Sequence, residues 1–303
     1  MSKSLNGEYL FKVFLQMYSP SRSLLTQLLR SEAEVVKSVE DSLKSGPMSW
    51  EQWIQIEGFK RTYFSILCFF TQLSMTFDIP PNITNAEPPL SLPCSEAEWR
   101  APDPETWFVQ HTSPSAPPTP TFHDAIQGLF SDDQTVGIRF SHFGSFIMIN
   151  AICSQLWARL KLRAAEPNID LSSIELALDQ WQRAWNADPD SSMSPTSPHG
   201  PLSFNASALY RMANIRIFRD YSRVKASFRM HDIARINQVM AEEVSGTGWE
   251  RSQDMMRAIM PATLQLQIPI KMGIKLVART AALIWSVEHV LCATETGMSL
   301  SFN

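Results

Sequence analysis

Close cysteine pairs are missing from this sequence. Cys68, Cys94, Cys153 and Cys292 stand far apart, with no C-x2-C and no histidine at zinc-finger spacing. A structural zinc site is not expected. A chain of this length can bury a core without disulfides, so reduced, buried thiols in a reducing compartment are expected. Glycine is also scarce: the 11 glycines are scattered, and no Walker loop, dinucleotide fingerprint or G-x-S-x-G elbow can be assembled from them. The six histidines (His111, His123, His142, His199, His231 and His289) include no i, i+3 or i, i+4 pair, and Glu288-His289 lacks the remaining residues of a metalloprotease helix. Charged residues make up only 18% and leave a net charge of -4, which excludes a global attraction to nucleic acid or to an acidic membrane. Long apolar runs are lacking as well. The greasiest stretch, 63–77, is broken by Ser65, Thr71, Gln72, Ser74 and Thr76, and is too short to span a bilayer. Residues 1–19 have no unbroken apolar core of a secretory signal. The expectation is a soluble intracellular chain with no membrane partner.

What is present is helical periodicity. Ser49-Trp50-Glu51-Gln52 forms a capping box, with Met48 and Trp53 placed as its hydrophobic staple. The helix that follows presents Trp53, Ile56, Tyr63, Leu67, Phe70 and Phe77 on one stripe and must end at Ile79-Pro80-Pro81. A helix over 140–163 carries Phe146, Ile149, Cys153, Leu156 and Leu160 inward, and its terminal Lys161 and Arg163 suit the negative end of the helix dipole. Ser172 to Glu175 reads as a second capping box, leading to Leu178, Trp181 and Trp185. In the last block Pro269 is expected in the first turn of a helix that runs through Ile270, Ile274, Val277, Ala281, Ile284 and Leu291 and stops at Gly297. Two Pro/Ser-rich loops, 111–121 and 186–201, separate helical blocks at roughly 1–100, 122–185 and 202–303. No sustained period-2 run occurs. The fold class expected is all-α: a multi-helix domain interrupted by two loops.

Chemistry finds little footing. Asp132-Asp133 is the only candidate for paired carboxylates, as for a magnesium-dependent all-α lyase, but no second acidic ligand set follows and an acid-rich helix start explains it better. No catalytic residue is assigned. The stretch 210–235 is basic, and Arg216, Arg219 and Arg223 fall on one helical face, a contact surface for phosphate or an acidic partner. The alternative is a solvated face opposite Leu209, Met212, Ile215 and Phe218, and it is favoured because no DNA-reading element accompanies the arginines. Ser113, Thr119, Ser194 and Ser197 precede prolines within the loops and match proline-directed kinase sites.

One pattern is specific. WEQWIQIEGFKRTYFSILCFFTQLSMTFDIPPNI, from Trp50, places an acid (Glu57) before a basic pair (Lys60-Arg61), then an aromatic-rich helix and a proline turn at Pro80-Pro81-Asn82. An acidic Leu-Pro segment follows, Glu87 to Cys94, closing at Glu98-Trp99. This resembles the middle homology region, the fungal-specific transcription factor domain, of fungal zinc-finger regulators of the C2H2 and Zn2Cys6 types. Leu202 to Ala206 leading into Leu209-Tyr210-Arg211 is similar to a later motif of that family, as are Ile268-Pro269-Ile270, Val277 to Thr280 and Trp285 to His289. The likeness runs from about Trp50 to the end.

The resemblance implies a nuclear transcriptional regulator that is not an enzyme. Its expected organisation is an N-terminal helical segment over 1–48 and a regulatory domain over 49–303. Partners implied are the transcription machinery, another regulator or a second copy in a homodimer. DNA is reached only indirectly or through a separate finger domain, and zinc belongs to such a finger; the chain itself needs no cofactor. A role in a pathway-specific cluster of secondary metabolism follows from the family's habits. The alternative is a fingerless interaction protein or co-regulator, and the metal-dependent lyase ranks last. Surface pairing of Glu57 with Arg61, back-packing of Leu90 and Leu92, and cross-helix bonds from Glu288 and His289 are the architectural tasks expected of the family residues.

Overall fold

Ser49 opens a long helix of the core. The computed structural model describes residues 4–43, 48–113, 119–131, 139–163, 165–166, 168–194, 197, 201–219, 221–228, 232–246, 253–273, 275, 277 and 286–301. Within it the Ser49 hydroxyl accepts the Gln52 N–H, and the Gln52 side chain accepts the Ser49 N–H, as the capping box requires. Met48 packs beside Trp53 as the staple.

Among the described residues there are twelve helices. They are α1 (Ser4–Leu43), α2 (Trp50–Phe77), α3 (Glu96–Trp99), α4 (Pro104–His111), α5 (Phe122–Phe130), α6 (His142–Arg163), α7 (Ser172–Ala187), α8 (Leu202–Phe218), α9 (Ser222–Phe228), α10 (Ile233–Gly246), α11 (Gln253–Met272) and α12 (Val287–Ser301). No strand accompanies them, only an isolated bridge between Ser91 and Thr121. The all-α expectation holds.

Helix α6 is the axis. From His142 to Ser154 every residue is buried, the pattern of a helix covered on all sides. It packs against α2, α7 and α8, and α8 in turn packs against α11 and α12. One continuous core therefore joins Leu29 and Ala33 of α1 to Cys292 of α12. Trp181 of α7 enters it with its indole N–H donated to the Ser145 carbonyl at 2.9 Å. All four cysteines are buried and free. Burial pushes the Cys153 and Cys292 thiols up to about 12, so they pack as neutral groups.

The family residues of α2 are more deeply placed than their spacing suggests. Glu57 is not on the surface: its side chain is 1% exposed and takes an ion pair from Arg61 at 3.0 Å and another from Lys60 at 3.0 Å. The Cys94 N–H also donates to it at 2.9 Å. The carboxylate thus ties the Leu-Pro segment down on α2, with Leu90 and Leu92 buried beneath it as expected.

Three helix boundaries differ from expectation. Ser172 does not cap α7. The N-cap is Leu171, and Asp170 accepts both the Ser172 N–H and its hydroxyl, while Glu175 is drawn into an ion pair with Arg257 at 2.6 Å. Pro269 lies near the end of α11, not in a first turn, and the stop is Gly273 at φ 86°. That left-handed conformation suits a residue without a side chain. Gly297 is inside α12 and ends nothing. The two loops are shorter than their composition implies, because α4 includes His111 and α7 runs to Ala187. Asp132, Asp133, Ile274, Ala281, Ile284 and Trp285 lie outside the described residues.

Candidate functional site

The helix expected to display Arg216, Arg219 and Arg223 together ends at Phe218. Arg219 is its C-cap, with extended backbone at φ -139° and ψ 115°, and Arg223 belongs to α9. Their shared face is therefore lost, since three- and seven-residue spacings align side chains only along an unbroken helix. Neither the contact surface nor the solvated face describes Arg216, which is buried. Arg223 is exposed, with its guanidinium already on Glu242 at 3.2 Å and Glu243 at 2.9 Å.

Arg216 instead forms the centre of a buried polar junction. Its Nε donates to Glu295 of α12 at 2.9 and 2.8 Å, and its Nη2 joins the same carboxylate. Lys225 of α9 reaches Glu295 at 2.5 Å. Both cations also donate to the Met75 carbonyl, at 2.8 and 2.9 Å. Met75 lies in the last turn of α2, where carbonyls lack helical partners and the dipole is negative, so two cations are well placed there. Burial opposes ionisation of Glu295, yet Arg216 and Lys225 hold its carboxyl below the ordinary value. Burial, reinforced by the Arg216 charge, pushes Lys225 down to about 8. One residue beyond α2, Asp78 takes the left-handed conformation (φ 54°) and accepts Trp157 Nε1 at 3.0 Å and the Lys161 ammonium. Lys161 also donates to Ser222 at 3.1 Å. The ends of α2 and α6 are so bolted to α8, α9 and α12.

A second interhelical contact lies above it. His289 stacks on Phe204 with ring centroids 3.8 Å apart, and Gln265 bridges it to Arg211. Burial and the nearby Arg211 push His289 down to about 3, so the ring is neutral. Glu288 accepts from Gln72 of α2 at 2.5 Å. Both family residues bond across helices, as expected.

The fungal specific transcription factor domain matches residues 18–183, more than half of the chain. The chain belongs to that family. The fungal transcription factor C-terminal domain matches residues 220–301 of the regulator. No curated protein and no solved structure matches it. Both families are domains of transcription factors and neither is an enzyme family, so the regulator's role lies in transcription. The polar junction draws on both matched regions: Met75, Asp78 and Lys161 from the first, Lys225 and Glu295 from the second, with Arg216 between them.

The regulator also has a cavity of about 540 Å³ where its two loops meet. Ser113 and Thr119 of the first loop line it, facing Asp188 and Pro189 of the second, with Arg139 and Ser141 between. Thr119 and Ser194 are exposed, Ser113 and Ser197 half-buried. Reading the sequence alone missed this convergence and missed Glu295. The signal for Glu295 was its position three residues after Cys292 on the apolar face of α12, where an acid needs a buried cation.

Proposed function

We propose that this chain is the regulatory part of a nuclear, pathway-specific transcription factor, working through protein contacts and reaching DNA by a separate finger domain or a partner. The observation that carries the reading is the pair of transcription-factor family matches, in order, on one shared core. The arginines support protein contacts over DNA contacts: Arg216 is consumed inside the fold and Arg223 is met by two glutamates. In this reading it acts as a non-enzyme. Partners are the transcription machinery, another regulator or a second copy. Secondary metabolism is the pathway class proposed.

Tethering the chain to a heterologous DNA-binding domain tests the reading. Reporter transcription should rise or fall, and an unchanged reporter would overturn it. Deletion of the gene should alter transcripts of a metabolite gene cluster; unaltered clusters would remove the pathway assignment. A fingerless co-regulator is the second reading, favoured by the absence of a free basic face at Arg216, Arg219 and Arg223. Specific mobility shift of DNA by the purified chain alone would dismiss it. Thr119 and Ser194, exposed before their prolines, are proposed as kinase sites together with Ser113 and Ser197, and phosphopeptide mapping in the host should find phosphate on them.

A further inference from the structure

Arg211 of α8 is a buried cation with no anion beside it. The residue is 5% exposed, yet among the described residues each of its hydrogen-bond acceptors is uncharged. Nε donates to Oε1 of Gln265 in α11 at 2.7 Å, Nη2 to the Ser207 hydroxyl at 3.1 Å, and Nη1 to Sδ of Met193 at 3.8 Å. A guanidinium taken out of water usually finds a carboxylate or phosphate, since neutral acceptors return only part of its lost hydration. Burial accordingly pushes Arg211 down from its ordinary value, and among the described residues no carboxylate offsets that. The weakest of the three acceptors is the thioether. It is also the one that solvent reaches, for Met193, in the loop between α7 and α8, is 43% exposed. From this pairing we infer that Met193 is an oxidation site, where hydrogen peroxide forms a sulfoxide whose oxygen Arg211 receives.

The step is balanced. A sulfur lone pair attacks one peroxide oxygen, an S–O bond forms and the O–O bond breaks. The proton of the transferred oxygen passes to the departing hydroxide, which leaves as water. Sulfur is oxidised by two electrons and the peroxide is reduced by two. The product oxygen carries partial negative charge, so its bond to the guanidinium is charge-assisted. The space also fits. With Sδ and Nη1 3.8 Å apart, an oxygen about 1.5 Å from sulfur and about 2.8 Å from nitrogen makes an angle of roughly 120° at itself, ordinary for such an acceptor.

Arg216 offers a comparison. Its Nη1 also meets a methionine sulfur, that of Met75, but Glu295 already neutralises Arg216 and Met75 is 1% exposed. That pair needs no better acceptor and is closed to peroxide. Around Met193 the main chain is turned tightly, with the Ser191 N–H on the Asp188 carbonyl at 3.1 Å and the Ser194 N–H on the Ser192 hydroxyl at 3.0 Å. Beyond Arg211, Gln265 reaches Nδ1 of His289 at 3.5 Å. Oxidation thus fastens the loop to a network spanning α8, α11 and α12, and a methionine sulfoxide reductase with a thiol reductant reverses it. Motif spacing could not show the site, because 18 positions and a loop separate Met193 from Arg211.

The purified full chain is treated with graded hydrogen peroxide. Peptide mass spectrometry counts the oxygen gained at each methionine, and hydrogen–deuterium exchange follows 188–194. Met260, 58% exposed, is the internal standard for simple accessibility. Met193 should gain one oxygen, and exchange over 188–194 should slow by about 5-fold, as one added hydrogen bond requires. The reductase should restore the original rate. Met193→Leu should show no slowing, and because the position is exposed this variant keeps the fold. Arg211→Met, where circular dichroism shows it folded, should also show none. Three results would each overturn the site: Met193 unmodified at doses that oxidise Met260, exchange unchanged or faster once Met193 is oxidised, or equal slowing in Met193→Leu. None of them touches the regulator reading, since the assay contains no DNA and no transcription.

Discussion

Glu295 and Arg216, 79 positions apart, are joined by three hydrogen bonds in a pocket closed to water. Removing one partner of such a buried pair strands the other charge, which costs about 3–5 kcal/mol. Glu295→Ala strands two cations, Arg216 and Lys225. Its urea midpoint should fall by the equivalent of that range, with an unchanged m-value. A loss under about 1 kcal/mol, the level of a surface pair, would mean the junction is not formed. Arg223→Ala is the contrast: its pairs are exposed, and stability should change by less than about 1 kcal/mol.

His289 makes stability depend on pH. Its folded value of about 3 lies below the unfolded value of 6.5, so the unfolded chain binds more protons between the two. Stability therefore rises with pH through that window and is lost on acidification from 6.5 downward. Relative to His289→Gln, which does not titrate, the wild type should lose about 2 kcal/mol between pH 7 and pH 5. Chemical denaturation at the two pH values reads this directly, and parallel losses in the two proteins would show that the ring is protonated in the fold.

The start of α7 depends on Asp170, two residues before the predicted cap. Asp170→Ala should lower Tm more than Ser172→Ala, because Asp170 accepts both Ser172 donors. A capping box at Ser172 would give the reverse order. The Ser172 bonds hold the Asp170 carboxyl below its usual value, so this contribution is lost as pH falls through the folded carboxylate range.

Gly273 is a clean backbone probe. A Cβ there meets nothing within 4 Å, so Gly273→Ala should destabilise through φ alone, by about 1 kcal/mol. Thermal unfolding should show the loss. A neutral result would place the end of α11 elsewhere.

Much of this fold is legible in local sequence. Ser49 and Gln52 cap α2 because their bonds span three residues, and Pro80-Pro81 ends it because proline acts on its neighbours. The apolar run of α6 states its own burial. What could not be read depends on distant partners. Arg216 looks like a surface residue until Glu295 is placed beside it, and Glu57 looks like half of a surface pair until the Cys94 N–H arrives from 37 positions away. Pro269 read as a helix start, yet it is tolerated late in α11 because it forfeits a single bond of the closing turns. The cavity was hidden for the same reason: two loops alike in composition give no hint that they face each other.

The carboxylate of Glu295 also has a genetic reading. A premature stop anywhere before α12 would remove the only acid that the described residues place against both Arg216 and Lys225, leaving two desolvated cations at the heart of the protein. Nonsense alleles that stop just before the codons of α12 should then behave as nulls cleared by proteolysis, and not as partial or constitutive regulators.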